Sequence, residues 1–127
     1  MSEPQKTRIG LIGCGNISTI YLQNLCRSAF VEVRAVCDLE LDRAEERAAQ
    51  FGIDQACLVD EMLDDPSIDL VVNLTVPDVH SHISLKSLYS GKHVYSEKPL
   101  ATTREDGREV LLVAESKGLR VGCAPDT

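Results

Sequence analysis

The sequence has no surplus of basic charge, no long apolar run and no export signal. The formal net charge is −7, which opposes nucleic-acid binding because too few cations are available to neutralise phosphates. No apolar run approaches the ~20 residues that a membrane-spanning helix needs. Residues 1–6 contain no apolar segment of the kind that secretory signals carry. We therefore expect no nucleic-acid partner, no membrane span and no export.

The cysteines lack the spacing of metal ligands and of a disulfide framework. No C-x-x-C pair occurs among Cys14, Cys26, Cys37, Cys57 and Cys123. An odd number of cysteines without an export signal is typical of free thiols in a reducing compartment. The sequence therefore predicts a cytoplasmic protein without a metal site. Cys37 and Cys123 are expected to fill buried positions at the ends of apolar runs.

What the sequence does contain is a regular alternation of strand and helix patterns. Apolar or alternating runs predict strands at 9–12, 31–37, 56–59, 70–74, 93–96 and 119–123. Helical spacing predicts helices over about 17–25, 41–51, 60–65, 78–91 and 102–118. Three of them should end at Gly52, Gly91 and Gly118, and a capping-box pattern at Thr102 and Glu105 should begin the last one. Short connections between alternating strands and helices require parallel crossovers. The prediction is an α/β fold, a Rossmann doubly wound parallel sheet in the order 3-2-1-4-5-6 with helices on both faces.

A glycine-rich turn follows the first predicted strand and opens the first helix. Gly13 permits a tight turn, and Gly15 lets the backbone approach a pyrophosphate without an intervening Cβ. The next backbone N–H groups, those of Asn16 and Ile17, and the helix dipole would point at the anion. Ser18, at the third motif position, is small enough for close contact between helix and strand. A bare glycine motif can also be a turn that binds nothing, but its place between a strand and a helix favours phosphate binding.

An acidic residue ends the second predicted strand. Asp38 lies about 20 residues after the glycine motif, where a carboxylate accepts hydrogen bonds from the adenosine ribose hydroxyls. Asp38 could also be a simple N-cap of the second helix, which is compatible with the ribose role. A carboxylate here repels the 2′-phosphate of NADP, and Arg43, the next arginine, could face either the adenine or solvent. We therefore expect NAD to be preferred, with NADP as the alternative.

Two further loops lie at the same edge of the predicted sheet. Segment 73–80 follows the fourth strand, and a Glu-Lys-Pro segment follows the fifth. Ligands of open α/β sheets bind beyond the carboxyl ends of the strands. Lys98, directly after a buried strand and followed by proline, could exchange a proton with an alcohol or ketone, although an ordinary surface lysine gives the same pattern. His82 and His93 belong to no chemical motif, and we expect structural roles for both.

Several motifs occur together between about Arg8 and Thr127. They are Gly13-x-Gly15-x-x-Ser18, Asp38, Thr75-x-Pro77-x-x-His80, Gly91-Lys92-His93-Val94 and, most specifically, Glu97-Lys98-Pro99. This combination resembles the glucose–fructose oxidoreductase / inositol dehydrogenase (Gfo/Idh/MocA) family. The resemblance implies an NAD(P)-dependent oxidoreductase for sugars, cyclitols or related polyols, with an N-terminal Rossmann domain and a larger C-terminal α/β domain. Two positions depart mildly from the family: many members have Gly or Ala in place of Ser18, and Pro in place of Val76.

The resemblance also implies roles for individual residues. Lys98 corresponds to the family's lysine near the nicotinamide ribose and the reacting hydroxyl, so a catalytic role is implied for it. Glu97 belongs to the same motif, whose backbone helps to hold the nicotinamide end. The residues implied along the path of the cofactor beyond the fourth strand are Asn73, Thr75, Pro77 and His80.

The expected function follows from these assignments. We expect residues 1–127 to form one NAD(P)-binding domain, without the C-terminal substrate domain of the family. The parent protein, expected to be a homo-oligomer, would transfer a hydride between the nicotinamide and a sugar- or cyclitol-like hydroxyl or ketone. This domain alone would be inactive. Two alternatives stay open: a non-catalytic nucleotide sensor or regulatory module, and a methyltransferase, which the Glu-Lys-Pro segment disfavours.

Overall fold

Six parallel strands form the centre of the computed structural model, which describes residues 5–125. The strand order is β3-β2-β1-β4-β5-β6, which confirms the predicted topology. The strands are β1 (Thr7–Ile12), β2 (Val31–Cys37), β3 (Gln55–Cys57), β4 (Leu70–Asn73), β5 (His93–Ser96) and β6 (Val121–Cys123).

Within residues 5–125, five α-helices cover both faces of this sheet, as predicted. They are α1 (Ser18–Arg27), α2 (Leu41–Phe51), α3 (Val59–Asp64), α4 (His80–Tyr89) and α5 (Arg104–Lys117). On one face α1 and α2 pack through Leu22 and Ala44. On the other face α3 and α4 pack through Met62 and Ile83, and α5 packs beside α4 through Val110. None of the described helices is long and apolar enough to cross a bilayer.

The side chains of β1 show why a continuous apolar run folds as a central strand. Ile9 and Leu11 join the core beneath α1 and α2, whereas Ile12 joins the core beneath α3 and α4, because successive side chains of a strand point to opposite faces. Each of these side chains contributes about 1.5–3 kcal/mol when fully buried. Gly10 leaves room for Met62 of α3, whose Sδ would lie 2.5 Å from an added Cβ.

The register of the strands aligns their carboxyl ends. One paired row crosses the whole sheet and consists of Cys57, Cys37, Ile12, Asn73, Ser96 and Cys123. The residues immediately after this row therefore emerge at one edge, here called the carboxyl edge. Gly13, Asp38 and Glu97 are three of them.

The opposite edge, here called the amino edge, holds charged groups that bond within the chain. The Arg8 guanidinium donates to both carboxylate oxygens of Asp69, at 3.0 and 2.9 Å. These hydrogen bonds lower the pKa of Asp69 to about 2. Lys92 is 3% exposed, and its Nζ donates to the backbone oxygens of Asp65 and Ile68, at 2.6 and 2.9 Å. Burial lowers the pKa of Lys92.

Several predicted boundaries are wrong by one or two residues. β3 spans Gln55–Cys57, because α3 already begins at Val59. α4 begins at His80, because Pro77 opens a separate 3-10 turn over Pro77–Val79. β4 ends at Asn73, one residue before the predicted end.

The helix termini also differ in detail from the prediction. Thr103, and not Thr102, is the N-cap of α5, since its hydroxyl accepts from the Asp106 amide at 3.1 Å. Gly52 and Gly118 cap α2 and α5 in the left-handed conformation, as predicted. α4 instead ends at Tyr89, and Gly91 follows its cap residue.

Burial of the two cysteines at strand ends is confirmed for one of them. Cys37 is fully buried, whereas Cys123 is only half-buried at the carboxyl end of β6. Of the N-terminal segment that lacks a secretory pattern, residues 1–4 lie outside the described part of the chain.

Candidate cofactor-binding site

The turn after β1 requires glycine at its first position. Gly13 has φ +105°, and an added Cβ would lie 2.6 Å from the backbone oxygen of Leu74. Its amide donates to the backbone oxygen of Cys37 at 2.8 Å. The turn is therefore wedged between β2 and the end of β4, and both the backbone conformation and the available space exclude a side chain.

The second glycine faces open space. A Cβ added to Gly15 would meet no atom within 4 Å. Asn16 and Ile17 are exposed, and α1 begins directly after them. Among residues 5–125, the amides of Gly15, Asn16 and Ile17 donate no hydrogen bond. This helix N-terminus therefore presents free N–H groups and the positive end of a dipole, which is the arrangement that binds phosphate.

Ser18 and Arg47 brace the turn from behind. The buried Ser18 hydroxyl donates to the backbone oxygen of Gly15 at 2.6 Å. Arg47 Nε of α2 donates to Ser18 Oγ at 3.0 Å. Sequence reasoning missed Arg47, although a cation between Ala44 and Ala48 on the buried side of α2 was a usable signal.

Asp38 is held against the glycine turn. Its Oδ2 accepts from the Cys14 amide at 2.7 Å, and its Oδ1 accepts from the Glu40 amide at 3.0 Å. Glu40, and not Asp38, is the N-cap residue of α2, so the simple N-cap alternative is not what the structure has. Two backbone donors fix the carboxylate and leave further lone pairs on both oxygens.

Of the side chains near Asp38, Arg43 is not a free cation and Cys14 is not a nucleophile. Arg43 Nε lies 3.0 Å from the Glu40 carboxylate, and both side chains are more than half exposed. Burial, followed by the charge of Asp38, raises the pKa of the Cys14 thiol to about 12. Cys14 is therefore an inert thiol at neutral pH.

A cavity of about 490 Å³ opens beside Asp38. Apolar side chains from the segments that follow β2, β3 and β4 form much of its wall: Leu39, Leu58, Val59, Val76 and Val79. Leu39 is 87% exposed, so a large apolar side chain stands uncovered at its mouth. An apolar cleft of this kind accepts an aromatic ring.

The histidine predictions have different outcomes. His82 is exposed on the wall of this cavity, so the structural role expected for it is wrong. His93 is structural as expected, because its Nδ1 accepts from the Arg120 amide at 3.0 Å. On the same wall, Lys86 Nζ lies 3.1 Å from Asp60 and joins α4 to α3.

Asn73 organises the loop after β4 from inside. Its Nδ2 donates to the His80 backbone oxygen at 2.9 Å and to Ser84 Oγ at 3.0 Å. Its Oδ1 accepts from the amide and the hydroxyl of Thr75, at 3.2 and 2.6 Å. The Asn73 side chain is fully buried, whereas Thr75 lines the cavity and Pro77 is exposed.

The loop after β5 is fastened to its surroundings on both sides of Lys98. The Glu97 amide donates to the Asn73 backbone oxygen at 3.0 Å, and the Glu97 carboxylate accepts from the Tyr21 hydroxyl of α1. On the other side, His80 Nδ1 lies 2.7 Å from the backbone oxygen of Pro99. Lys98 itself is exposed and has no hydrogen bond or ion pair to other residues of 5–125.

These features lie side by side along the carboxyl edge, in the order Asp38, glycine turn, loop after β4 and Lys98. Three strand spacings separate the end of β2 from the end of β5, a distance of about 14 Å. His80 and Asn73 lie beneath this edge, because the one is 1% exposed and the other fully buried. The fold and the site together define an NAD-binding Rossmann domain.

The family follows from a match along almost the whole described chain. A family model described as "Oxidoreductase family, NAD-binding Rossmann fold" (GFO_IDH_MocA) matches residues 7–124, so the chain belongs to this family. Among its relatives, 1,5-anhydro-D-fructose reductase of Ensifer adhaerens is 34% identical over 91% of this chain and 35% of its own length. An inositol 2-dehydrogenase/D-chiro-inositol 3-dehydrogenase of Lactiplantibacillus plantarum is 29% identical over 95% of the chain and 35% of its length.

A solved structure gives the same result. KijD10, a 3-ketoreductase from Actinomadura kijaniata in complex with NADP, superposes with a TM-score of 0.88 at 30% identity, over 94% of this chain and 38% of that one. This chain therefore spans about a third of the length of the relatives that it matches.

Proposed function

We propose that this chain is the cofactor half of an oxidoreductase that exchanges a hydride with a hydroxyl or ketone carbon of a sugar or cyclitol. The observation that carries the proposal is the convergence of the free N–H groups after Gly15, the Asp38 carboxylate and Lys98 on one edge of the sheet. The substrates printed in the names of the two enzymes above, an anhydro sugar and inositols, support the substrate class.

The residues of the edge fit an extended dinucleotide. Gly15 and the amides of Asn16 and Ile17 would bind the pyrophosphate, because the space beyond Gly15 is open. Asp38 would accept from the adenosine ribose hydroxyls, and Leu39 and Val76 would enclose the adenine in the adjoining cavity. Thr75 and Pro77 would pass beside the cofactor, whereas Asn73 and His80 would act on it through the loops that they hold.

Lys98 would act at the nicotinamide end. When bound, the nicotinamide supplies hydride exchange with the carbinol carbon. The Lys98 ammonium, exposed and unpaired within residues 5–125, would hold or donate the proton of the substrate oxygen. Glu97 would support it by fixing the loop against Tyr21.

The charges around Asp38 favour NAD over NADP. A 2′-phosphate would stand against the Asp38 carboxylate, and Arg43, the arginine beside it, is paired with Glu40. Like charges placed side by side repel each other, which would lower the affinity for NADP. Here this chain should differ from KijD10, whose structure contains NADP.

A titration of the chain with NADH and NADPH tests the proposal. We expect NADH to bind at least about tenfold more tightly, equivalent to about 1.4 kcal/mol. Asp38→Asn should narrow this ratio, whereas Asp42→Asn, which removes an equal charge from exposed α2, should leave it unchanged. Tighter binding of S-adenosylmethionine than of NADH would refute the proposal.

The proposal extends to the organisation of the protein. We propose that residues 1–127 form one cofactor domain and that the substrate is bound mainly by residues outside it, in a cytoplasmic homo-oligomer. This chain covers 35% of the length of each of the two relatives, which supports a separate cofactor domain and a substrate site outside it. Free thiols, three of them buried at strand ends or in the glycine turn, support a reducing compartment.

A further inference from the structure

The short loop that carries Lys98 is held by two helices that lie far apart in the sequence. On its N-terminal side, the Tyr21 hydroxyl of α1 donates to the Glu97 carboxylate. On its C-terminal side, the ring of His80, in the first turn of α4, lies against the backbone oxygen of Pro99. Lys98 is the residue between these two attachments.

His80 also contacts the loop after β4. Its Nε2 lies against the backbone oxygen of Thr75, and its Nδ1 lies 2.7 Å from that of Pro99. A carbonyl oxygen only accepts hydrogen bonds, so each link exists when the ring nitrogen that faces it carries a proton. The ring is 1% exposed, so water does not reach its nitrogens. Each lost link would leave a buried polar group unpaired.

We propose that Tyr21 and His80 are positioning residues for Lys98: Tyr21 through Glu97, and His80 through Nδ1 and Pro99. Neither residue touches the reacting atoms in this assignment. It rests on the proposed role of Lys98, because a lysine that transfers a proton must be held at a defined distance from its partner. A displacement of about 1 Å can cost on the order of 100-fold in rate.

Two substitutions at one position separate the links of His80. The amide nitrogen of asparagine reaches about as far as Nδ1, and that of glutamine about as far as Nε2. His80→Asn therefore retains a donor for Pro99, and His80→Gln retains a donor for Thr75. Tyr21→Phe removes the donor to Glu97 and keeps the ring. Tyr89→Phe is the matched control, because Tyr89 is exposed at the end of α4 and its ring over Lys117 is preserved.

Nitrogen-15 relaxation of the Lys98 amide in the cofactor-free chain measures the positioning. In the wild type, His80→Asn and Tyr89→Phe we expect an order parameter near that of rigid backbone, about 0.85. In Tyr21→Phe and His80→Gln it should fall towards about 0.6, the value of flexible backbone. The amides of β1 and β2 should not change, which distinguishes a local release from a general loss of structure.

The outcomes separate this inference from the proposed function. The inference is wrong if the Lys98 order parameter is unchanged in Tyr21→Phe. It is also wrong if the values in His80→Asn and His80→Gln are equal. If a His80 variant does not fold, the result for Tyr21→Phe decides the question. Addition of NADH tests the proposed function instead. If the Gly15 amide responds to NADH and the Lys98 amide does not, the role of Lys98 is wrong, whatever the relaxation data show.

Discussion

The two edges of the sheet use charged residues in opposite ways. At the amino edge, Arg8 and Asp69 bond to each other, and Lys92 is buried against backbone oxygens. At the carboxyl edge, Asp38 is fixed by backbone amides, and Lys98 stands exposed on a loop that is itself tightly held. The charges of the amino edge bond within the chain and stabilise the fold. The charges of the carboxyl edge are oriented by the fold and stay available to a ligand.

This difference follows from the direction of the chain. In a parallel sheet every helix begins beyond the carboxyl end of a strand, so free amides and positive helix ends gather at that edge. At the amino edge the helices end and the chain returns to the sheet, so exposed carbonyl oxygens there need donors. Lys92 supplies them for Asp65 and Ile68. The comparison predicts that substitutions of the charged residues at the amino edge change stability, whereas substitutions of those at the carboxyl edge change binding.

Substitutions of the two glycines at the carboxyl edge should give the largest effects, that of Gly13 on stability and that of Gly15 on NADH binding. Gly13→Ala places a side chain at φ +105° and against the Leu74 backbone oxygen. We expect a loss of about 2–4 kcal/mol in the free energy of unfolding, measured with urea. Gly15→Ala should leave stability nearly unchanged and weaken NADH binding, because its Cβ enters the space proposed for the pyrophosphate. Equal stability losses in both variants would contradict this division.

The two lysines provide the most direct contrast between the edges. Lys92→Met removes the donor for two backbone oxygens, and we expect a loss of about 1–3 kcal/mol in unfolding free energy with little change in NADH affinity. Lys98→Met should leave the unfolding free energy unchanged, because Lys98 is exposed. Urea unfolding and NADH titration of both variants test the contrast, which fails if Lys98→Met is the more destabilising.

The smallest effect concerns acid. The pKa of Asp69 is lowered from 3.8 to about 2 in the folded chain, so the unfolded chain binds this proton first as the pH falls. The contribution of the Arg8–Asp69 pair is therefore present above about pH 4 and is lost progressively towards pH 2. Asp69→Asn should flatten this part of the profile of urea midpoint against pH, and Asp42→Asn should not. We expect a small shift, because both partners are about one-third exposed to solvent.

The sequence alone determined the topology and the composition of the carboxyl edge. Strand periodicity and the helix stop at Gly118 are local signals that identify the elements. The order of the six parallel strands follows from the alternation of strands and helices and from the doubly wound topology. The positions of Gly13, Asp38 and Lys98 follow, because each lies one or two residues after the end of a strand. The sequence did not determine the helix boundaries to the residue, since the 3-10 turn at Pro77 and the cap at Thr103 shift them by one or two positions.

Only the tertiary structure decided which partners fix these residues. Tyr21 and Glu97 are 76 positions apart, and Arg47 and Ser18 are 29 apart, so no local pattern reports their contacts. His80 carries a sequence motif, yet its burial between two carbonyl oxygens depends on how α4 packs against the loop after β5. Sequence periodicity describes neighbours along the chain, whereas the geometry of this edge is set by side chains that meet only after the sheet has formed.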